Sequence, residues 1–175
     1  VGSFNDSGYF DDISISGSGG DCQPAQETVT LRIPSGIKTA PGERLVVPIV
    51  ASSLSAIGVA QFTVEYDSTI LQYVQANPGM DAPGFLVSQT NINPPFPVTT
   101  SGTNKNVIVQ ISGGGSSTFS GDDQTVALLE FLVKGQGGQS APVAFDKTCN
   151  RTFLTTEGFE DLCGTRIRFF DGGVI

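Results

Sequence analysis

The acidic side chains are the first candidates for chemistry, because the chain contains no histidine. Without an imidazole, the Ser-His-Asp and Cys-His arrangements that activate a nucleophile are excluded, and so are histidine-rich metal sites. A pair of carboxylates could still hydrolyse a glycosidic bond. The carboxylates considered for that role are Glu65, Asp67, Asp122, Asp123, Glu130, Glu157, Glu160 and Asp161.

Sugar chemistry is disfavoured by the aromatic composition of the chain. Proteins that hold sugar rings usually stack them on exposed aromatic side chains, whereas this chain has no tryptophan and three tyrosines. Asp and Glu are also common on protein surfaces, where they are simply solvated. We therefore predict a protein with no catalytic residue, and a carbohydrate-binding module remains an alternative.

Acidic turns could instead hold calcium, which prefers clustered oxygen ligands. Asp11-Asp12 and Asp122-Asp123 both lie beside glycine-rich turns. The stretch around Gly8 does not form an EF-hand, because the first and twelfth positions of such a loop would be Ser3 and Ser14. The sequence leaves a structural calcium ion open, without fixing its ligands, and predicts no other cofactor.

The chain has three cysteines. Cys149 and Cys163 flank a short excursion and could close it with a disulfide, which fits an oxidising, extracellular compartment. Cys22 would then be a free thiol or form an intermolecular bond, although three reduced and buried thiols are an alternative. Asn5 and Asn150 each begin an N-glycosylation tripeptide.

The charge of the chain excludes two classes of partner. Nine basic residues against seventeen acidic ones give a net charge of −8, so the basic face that nucleic acids require is missing. Anionic membranes are disfavoured for the same reason, and no apolar run approaches the ~20 residues that span a bilayer. We expect an extracellular or cell-surface protein that does not insert into a membrane.

The elements that would carry these residues are β-strands, since apolar residues recur with a period of two. Turns rich in glycine and proline separate the runs, and helix signals are almost absent. This pattern predicts an all-β, antiparallel jelly-roll sandwich of about nine strands. The run 125–134 is nearly apolar on both faces, as a central strand would be. The predicted strands are 29–33, 44–51, 58–66, 70–75, 85–89, 106–112, 125–134, 141–145 and 166–170.

Several of these runs form a recognisable order: Ala40-Pro41-Gly42-Glu43 leading into Leu45-Val46-Val47-Pro48-Ile49, then Ile57 to Asp67 and Ile70-Leu71, and the closing Phe169 to Ile175. Over about residues 27 to 175 this order resembles a cohesin domain. It implies a nine-stranded, extracellular and non-catalytic sandwich. The usual partner of such a domain is a calcium-loaded dockerin module.

The resemblance also implies a binding face. Cohesins of the cellulosomal kind use polar residues on one sheet, among them an Asn and an Asp where this chain has Val59 and Gln61. In the run 58–66, polar residues alternate with the apolar ones, so they share the face opposite the core. We expect the partner-binding face to include Gln61, Thr63, Glu65 and Gln110, and the alternative is an ordinary solvated sheet face.

Residues 1–20 form a separate unit ahead of the domain at 27–175. The run from Tyr9 to Ser16 reads as one strand with apolar Tyr9, Phe10, Ile13 and Ile15, and the tether Gly17-Ser18-Gly19-Gly20 follows it. This strand could add to the sheet of another copy and so connect subunits of an oligomer or filament, as in donor-strand assembly. It could also pair within its own chain, or be the tail of a preceding domain.

Overall fold

The computed structural model describes residues 28–81, 85–91, 104–113, 118–158 and 160–175, and a single 3₁₀ turn, Gly164–Arg166, interrupts an otherwise all-β architecture there. The strands are β1 Val29–Arg32, β2 Ser35–Ile37, β3 Arg44–Ser52, β4 Leu54–Asp67, β5 Leu71–Pro78, β6 Phe85–Asn91, β7 Asn104–Gly113, β8 Phe119–Gly121, β9 Gln124–Val133, β10 Ala141–Phe145, β11 Phe153–Thr156, β12 Asp161–Leu162, β13 Ile167–Phe170 and β14 Gly172–Val174. The expectations for residues 1–20, including Asn5, and for Cys22 fall outside the described residues.

The strands form two sheets, which confirms the predicted β-sandwich. The five-stranded sheet has the order β13-β1-β3-β9-β5, so β9 is an interior strand, as its apolar residues predict. The nine-stranded sheet has the order β12-β11-β4-β10-β14-β2, with β7 and β8 also paired to β4 and β6 paired to β7. In the described part of the chain, pairing is antiparallel except for the parallel pairs β1–β13 and β2–β14.

The structure has more strands than the nine predicted, in part because the chain crosses from one sheet to the other near its first and last strands. β1 and β13 pair in the five-stranded sheet, and their continuations β2 and β14 pair in the nine-stranded sheet. At this crossing a Cβ on Gly172 would lie 2.2 Å from the carbonyl oxygen of Pro34. Only glycine therefore fits between the two crossing segments.

The core lies between the sheets and is built from the inward-facing residues of both. Phe62 of β4 and Phe131 of β9 are fully buried. Phe131 makes edge-to-face contacts with Tyr66 and Tyr73, at centroid distances of 5.1 and 6.0 Å. Such contacts add to the stabilisation that comes from burying the rings.

Among the described residues, no helical segment has the length and hydropathy of a transmembrane span.

We predict that the two core tyrosines make the sandwich sensitive to alkali. Burial, with a smaller effect from the nearby Tyr66, raises the pKa of Tyr73 from 10.0 to about 12. The folded state therefore holds the phenol proton that the unfolded state loses near pH 10, so this contribution is present below pH 10 and is lost as the pH rises towards 12. Urea unfolding at several pH values should show that Tyr73→Phe has a flatter decline in stability than the wild type between pH 10 and 12. Equal slopes for the two proteins would contradict this prediction.

Candidate functional site

β4 lies at the centre of the nine-stranded sheet and presents one side of itself away from the core. It pairs with β7 from Val59 to Asp67 along one edge. Along its other edge it pairs with β11 through residues 57–61 and with β10 through residues 64–66. Because Phe62 and Tyr66 face the core, strand alternation turns Gln61, Thr63 and Glu65 outwards. We call this side of the sheet the outer face.

The chain leaves the sheet between β10 and β11, and residues 146–152 form a segment that we call the cap. The carbonyl oxygen of Arg151 accepts hydrogen bonds from Thr63 Oγ1 at 2.8 Å and from Gln61 Nε2 at 3.1 Å. The amide of Thr63 donates to Thr152 Oγ1 at 3.2 Å, and the carbonyl of Thr63 accepts from the amide of Asp146 at 2.8 Å. The cap therefore covers β4 at the centre of the outer face.

The cap changes the exposure expected for two of the predicted site residues. Gln61 and Thr63 do share one face with Glu65, but Thr63 is completely buried and Gln61 is 9% exposed. The expectation that both lie on an open face is therefore wrong. The side-chain donors of both residues bond to the main chain of the cap, which takes the place that water or a partner would have on a bare sheet.

A disulfide between Cys149 and Cys163 ties the cap to the segment after β12, and their Cα atoms are 5.1 Å apart. Lys147 Nζ also contacts Asp171 Oδ2 at 2.6 Å. Inside the cap, the Arg151 amide donates to the Thr148 carbonyl at 2.8 Å. The disulfide and the ion pair attach the cap to neighbouring segments, and the internal hydrogen bond holds its own main chain in place. The side chain of Asn150, the glycosylation candidate, is exposed on it.

Part of the outer face stays open beside the cap. Gln110 of β7 lies directly opposite Gln61, is exposed, and donates from Nε2 to Gln61 Oε1 at 2.7 Å. Val59 is 39% exposed at the other side of Gln61, and Glu65 is half-buried. The outer face therefore offers a mixed apolar and polar surface next to the cap.

Asn106 also lies on the outer face, although it is not among the residues predicted for it from the sequence. It is opposite Glu65 in the β4–β7 register and is 8% exposed. Neither its amide nitrogen nor its amide oxygen has a hydrogen-bond partner. Strand alternation from Gln110 would have placed it on this face, but the sequence carries no signal for its burial.

The carboxylates considered for catalysis are distributed over the molecule. Glu65 lies on the outer face of the nine-stranded sheet, whereas Glu130 lies on β9 of the other sheet, where Arg44 and Gln75 donate to it. The hydrogen bond from Arg44 is the main cause that lowers the pKa of Glu130 below its usual value. Asp67 ends β4, and the remaining candidates lie in turns or on the β11–β12 hairpin: Asp122, Asp123, Glu157, Glu160 and Asp161.

Several of these carboxylates already have partners within the protein. Asp122 Oδ1 accepts from the Ser53 amide at 2.7 Å, and Asp123 contacts both Arg32 and Ser52. In the part of the chain that the structure describes, no group of three or more His, Cys, Asp or Glu could hold a metal ion. The pair Asp11-Asp12 lies outside that part.

A cleft of about 320 Å³ opens where β4 leads into β5, at the end of the sandwich. No residue expected at the partner-binding face lines it. Its lining residues are Tyr66, Ser68, Leu71, Gln72, Tyr73, Lys105, Asn106 and Lys134.

Solved structures share this architecture at low sequence identity. The sixth cohesin of scaffoldin B from Acetivibrio cellulolyticus, in complex with a Cel5 dockerin mutant, is similar with a TM-score of 0.64 and 22% identity, over 84% of this chain and 97% of that one. A non-cellulosomal cohesin from the archaeon Archaeoglobus fulgidus gives 0.61 and 14%, over 84% and 89%. A Clostridium thermocellum complex of the OlpA cohesin with a dockerin gives 0.61 and 16%, over 85% and 98%.

Sequence comparison matches this chain to a family model but to no individual curated protein. No curated protein matches the chain significantly. The family model described as the cohesin domain does match, over residues 29–155, which is well over half of the chain. That span contains both edges of β4, the outer face and the cap. This chain therefore belongs to the cohesin domain family.

Proposed function

We propose that this chain is a non-catalytic assembly module that binds a calcium-loaded dockerin on the outer face of the nine-stranded sheet. The observation that carries the proposal is the outer face itself, where the exposed Gln110 and Val59 lie on paired strands at the centre of the nine-stranded sheet. A binding surface built on strands is held more precisely than one built on loops, and the contacts need little ordering when the partner binds.

Family membership supports the kind of partner. Two of the similar structures are cohesins in complex with dockerins. The role of Gln61 and Thr63 is modified by their burial: they hold the cap, while Gln110 and Glu65 remain available to a partner. An extracellular or cell-surface location is part of the proposal, because the Cys149–Cys163 disulfide suits an oxidising compartment.

Calorimetric titration of the full chain with a panel of dockerins tests the proposal. The panel includes the dockerins of the similar complexes, each loaded with calcium and, as a control, stripped of calcium with a chelator. We expect saturable 1:1 binding to at least one loaded module and none after stripping. The absence of binding to every module, or binding that does not depend on calcium, would contradict the proposal.

We also propose that residues 1–20 connect copies of the chain through strand addition. β13 is one of the two edge strands of the five-stranded sheet, and its neighbour β1 begins only nine residues after the tether, at Val29. The edge of a sheet offers unpaired backbone groups to another strand. Tyr9, Phe10, Ile13 and Ile15 would supply the apolar contacts.

Deleting residues 1–20 should abolish oligomers and leave the sandwich folded. Sedimentation velocity should show larger species for the full chain and a monomer for the truncated one, with equal melting temperatures. A truncated chain that assembles as well as the full one would contradict self-assembly. A monomeric full chain that loses thermal stability on truncation would indicate pairing within the chain. No change in either property would favour a tail of a preceding domain.

A further inference from the structure

The cap has the opposite charge balance to the rest of the protein. Its seven residues include two cations, Lys147 and Arg151, and one acid, Asp146, whereas the whole chain carries a net charge of −8. Lys147 is paired with Asp171, and the Asp146 carboxylate accepts from the amide and the hydroxyl of Thr148. No carboxylate among the described residues pairs with the guanidinium of Arg151. Arg151 is therefore the unpaired cation of the cap.

The main chain of Arg151 is held at three points. Its carbonyl oxygen accepts from Thr63 and Gln61, and its amide donates to Thr148. The next residue, Thr152, is fully buried, and the disulfide at Cys149 fixes the middle of the cap. A long cationic side chain thus starts from an immobile backbone, which lowers the entropy lost when it engages a ligand.

The position of Arg151 matters as much as its charge. The cap stands over Gln61 and Thr63, so a partner that approaches the centre of the outer face meets the cap before it meets the strand. Residues 147–150 of the cap and Gln110, which lies opposite Gln61, are exposed, and Arg151 itself is half-buried. A desolvated arginine at the centre of an interface is among the residues whose removal costs most affinity.

We infer that Arg151 is the specificity-determining contact of this chain, and that it pairs with a carboxylate on an acidic protein partner. The inference rests on the proposed function, because the partner is taken to be a calcium-loaded dockerin. The unpaired guanidinium of Arg151 requires an acidic group across the interface, and calcium-binding modules carry aspartate and glutamate side chains. An Arg–carboxylate pair can form two parallel charge-assisted hydrogen bonds, which fix the orientation of the partner at the cap.

The test compares two arginines in the full, disulfide-bonded chain. Arg151→Gln removes the charge from the cap, while Arg168→Gln removes an exposed arginine from β13 on the other sheet and serves as the control. Affinity for the calcium-loaded dockerin that binds the wild type is measured at several salt concentrations. We expect Arg151→Gln to weaken binding by about tenfold or more and to reduce its salt dependence, and Arg168→Gln to change affinity by about twofold at most.

Each outcome separates this inference from the proposed function. If the wild type binds and both variants bind equally well, the inference is overturned and the proposed function stands. If the wild type binds no dockerin, both fail together. Thermal unfolding confirms that each variant is folded. Should Arg151→Gln be unstable, Arg151→Lys keeps a charge without the planar fork, and unchanged affinity in that variant would overturn the claim of a bidentate pair.

Discussion

Replacing Cys149 and Cys163 together by serine should lower the free energy of unfolding by about 3 kcal/mol and loosen the cap. The disulfide closes a loop over a sequence separation of 14 residues. A crosslink of that span removes on the order of 3 kcal/mol of chain entropy from the unfolded state. The same bond holds the cap against β4, so deuterium exchange at the amide of Thr63, which donates to the cap, should become faster. Urea unfolding and hydrogen–deuterium exchange measure the two effects.

The reduced wild-type protein serves as the matched control for the serine variant, because both lack the crosslink and differ only in sulfur against oxygen. The two should agree in stability and in exchange at Thr63. If removal of the disulfide leaves both properties unchanged, the cap is held by its hydrogen bonds to Gln61 and Thr63 alone. The disulfide would then have no part in shaping the outer face.

Replacing Gln110 by tryptophan should abolish dockerin binding, with a loss of affinity of roughly 100-fold or more. Gln110 is exposed in the middle of the outer face, opposite Gln61 and beside the cap. An indole there would stand where a partner must approach closely, and excluding a central contact costs several kcal/mol of binding. Calorimetric titration gives the affinity, and thermal unfolding shows whether the sandwich is intact.

Gln72→Trp is the matched control for this variant. Gln72 is also an exposed glutamine on a strand, but it lies on β5 of the five-stranded sheet. We expect it to bind like the wild type. If Gln72→Trp loses binding and Gln110→Trp keeps it, the interface lies on the five-stranded sheet. If both variants bind like the wild type, the interface lies on neither of these two faces.

Much of the sandwich is predictable because burial on one side imposes a period of two on the sequence. Each of the nine predicted runs corresponds to a strand, from β1 to β13. The strands that were not predicted are short and carry no such pattern: β2, β8, β11, β12 and β14. Ser35-Gly36-Ile37 owes its strand conformation to pairing with Gly172-Gly173-Val174 at the crossing between the sheets, and the latter segment also pairs with β10.

The candidate site could be predicted only in part. Alternation placed Gln61, Thr63 and Glu65 on one face, and the pair Cys149 and Cys163 marked an excursion of the chain. The sequence could not show that this excursion lies on that face, because Thr63 and Arg151 are 88 residues apart and meet only through the tertiary structure. A polar residue on the face of a strand opposite the core predicts contact with solvent. The hydroxyl of Thr63 instead donates to the main-chain carbonyl of Arg151.

Chemical-shift mapping on the ¹⁵N-labelled chain, titrated with a calcium-loaded dockerin, tests the location of the interface most directly. We predict that the perturbed amides cluster at Gln110, Glu65, Val59 and the cap residues 147–151, and that they are unperturbed when calcium is removed. Perturbations confined to Arg44, Val46 and Gln72 on the five-stranded sheet, or no perturbation at any ratio, would contradict the account.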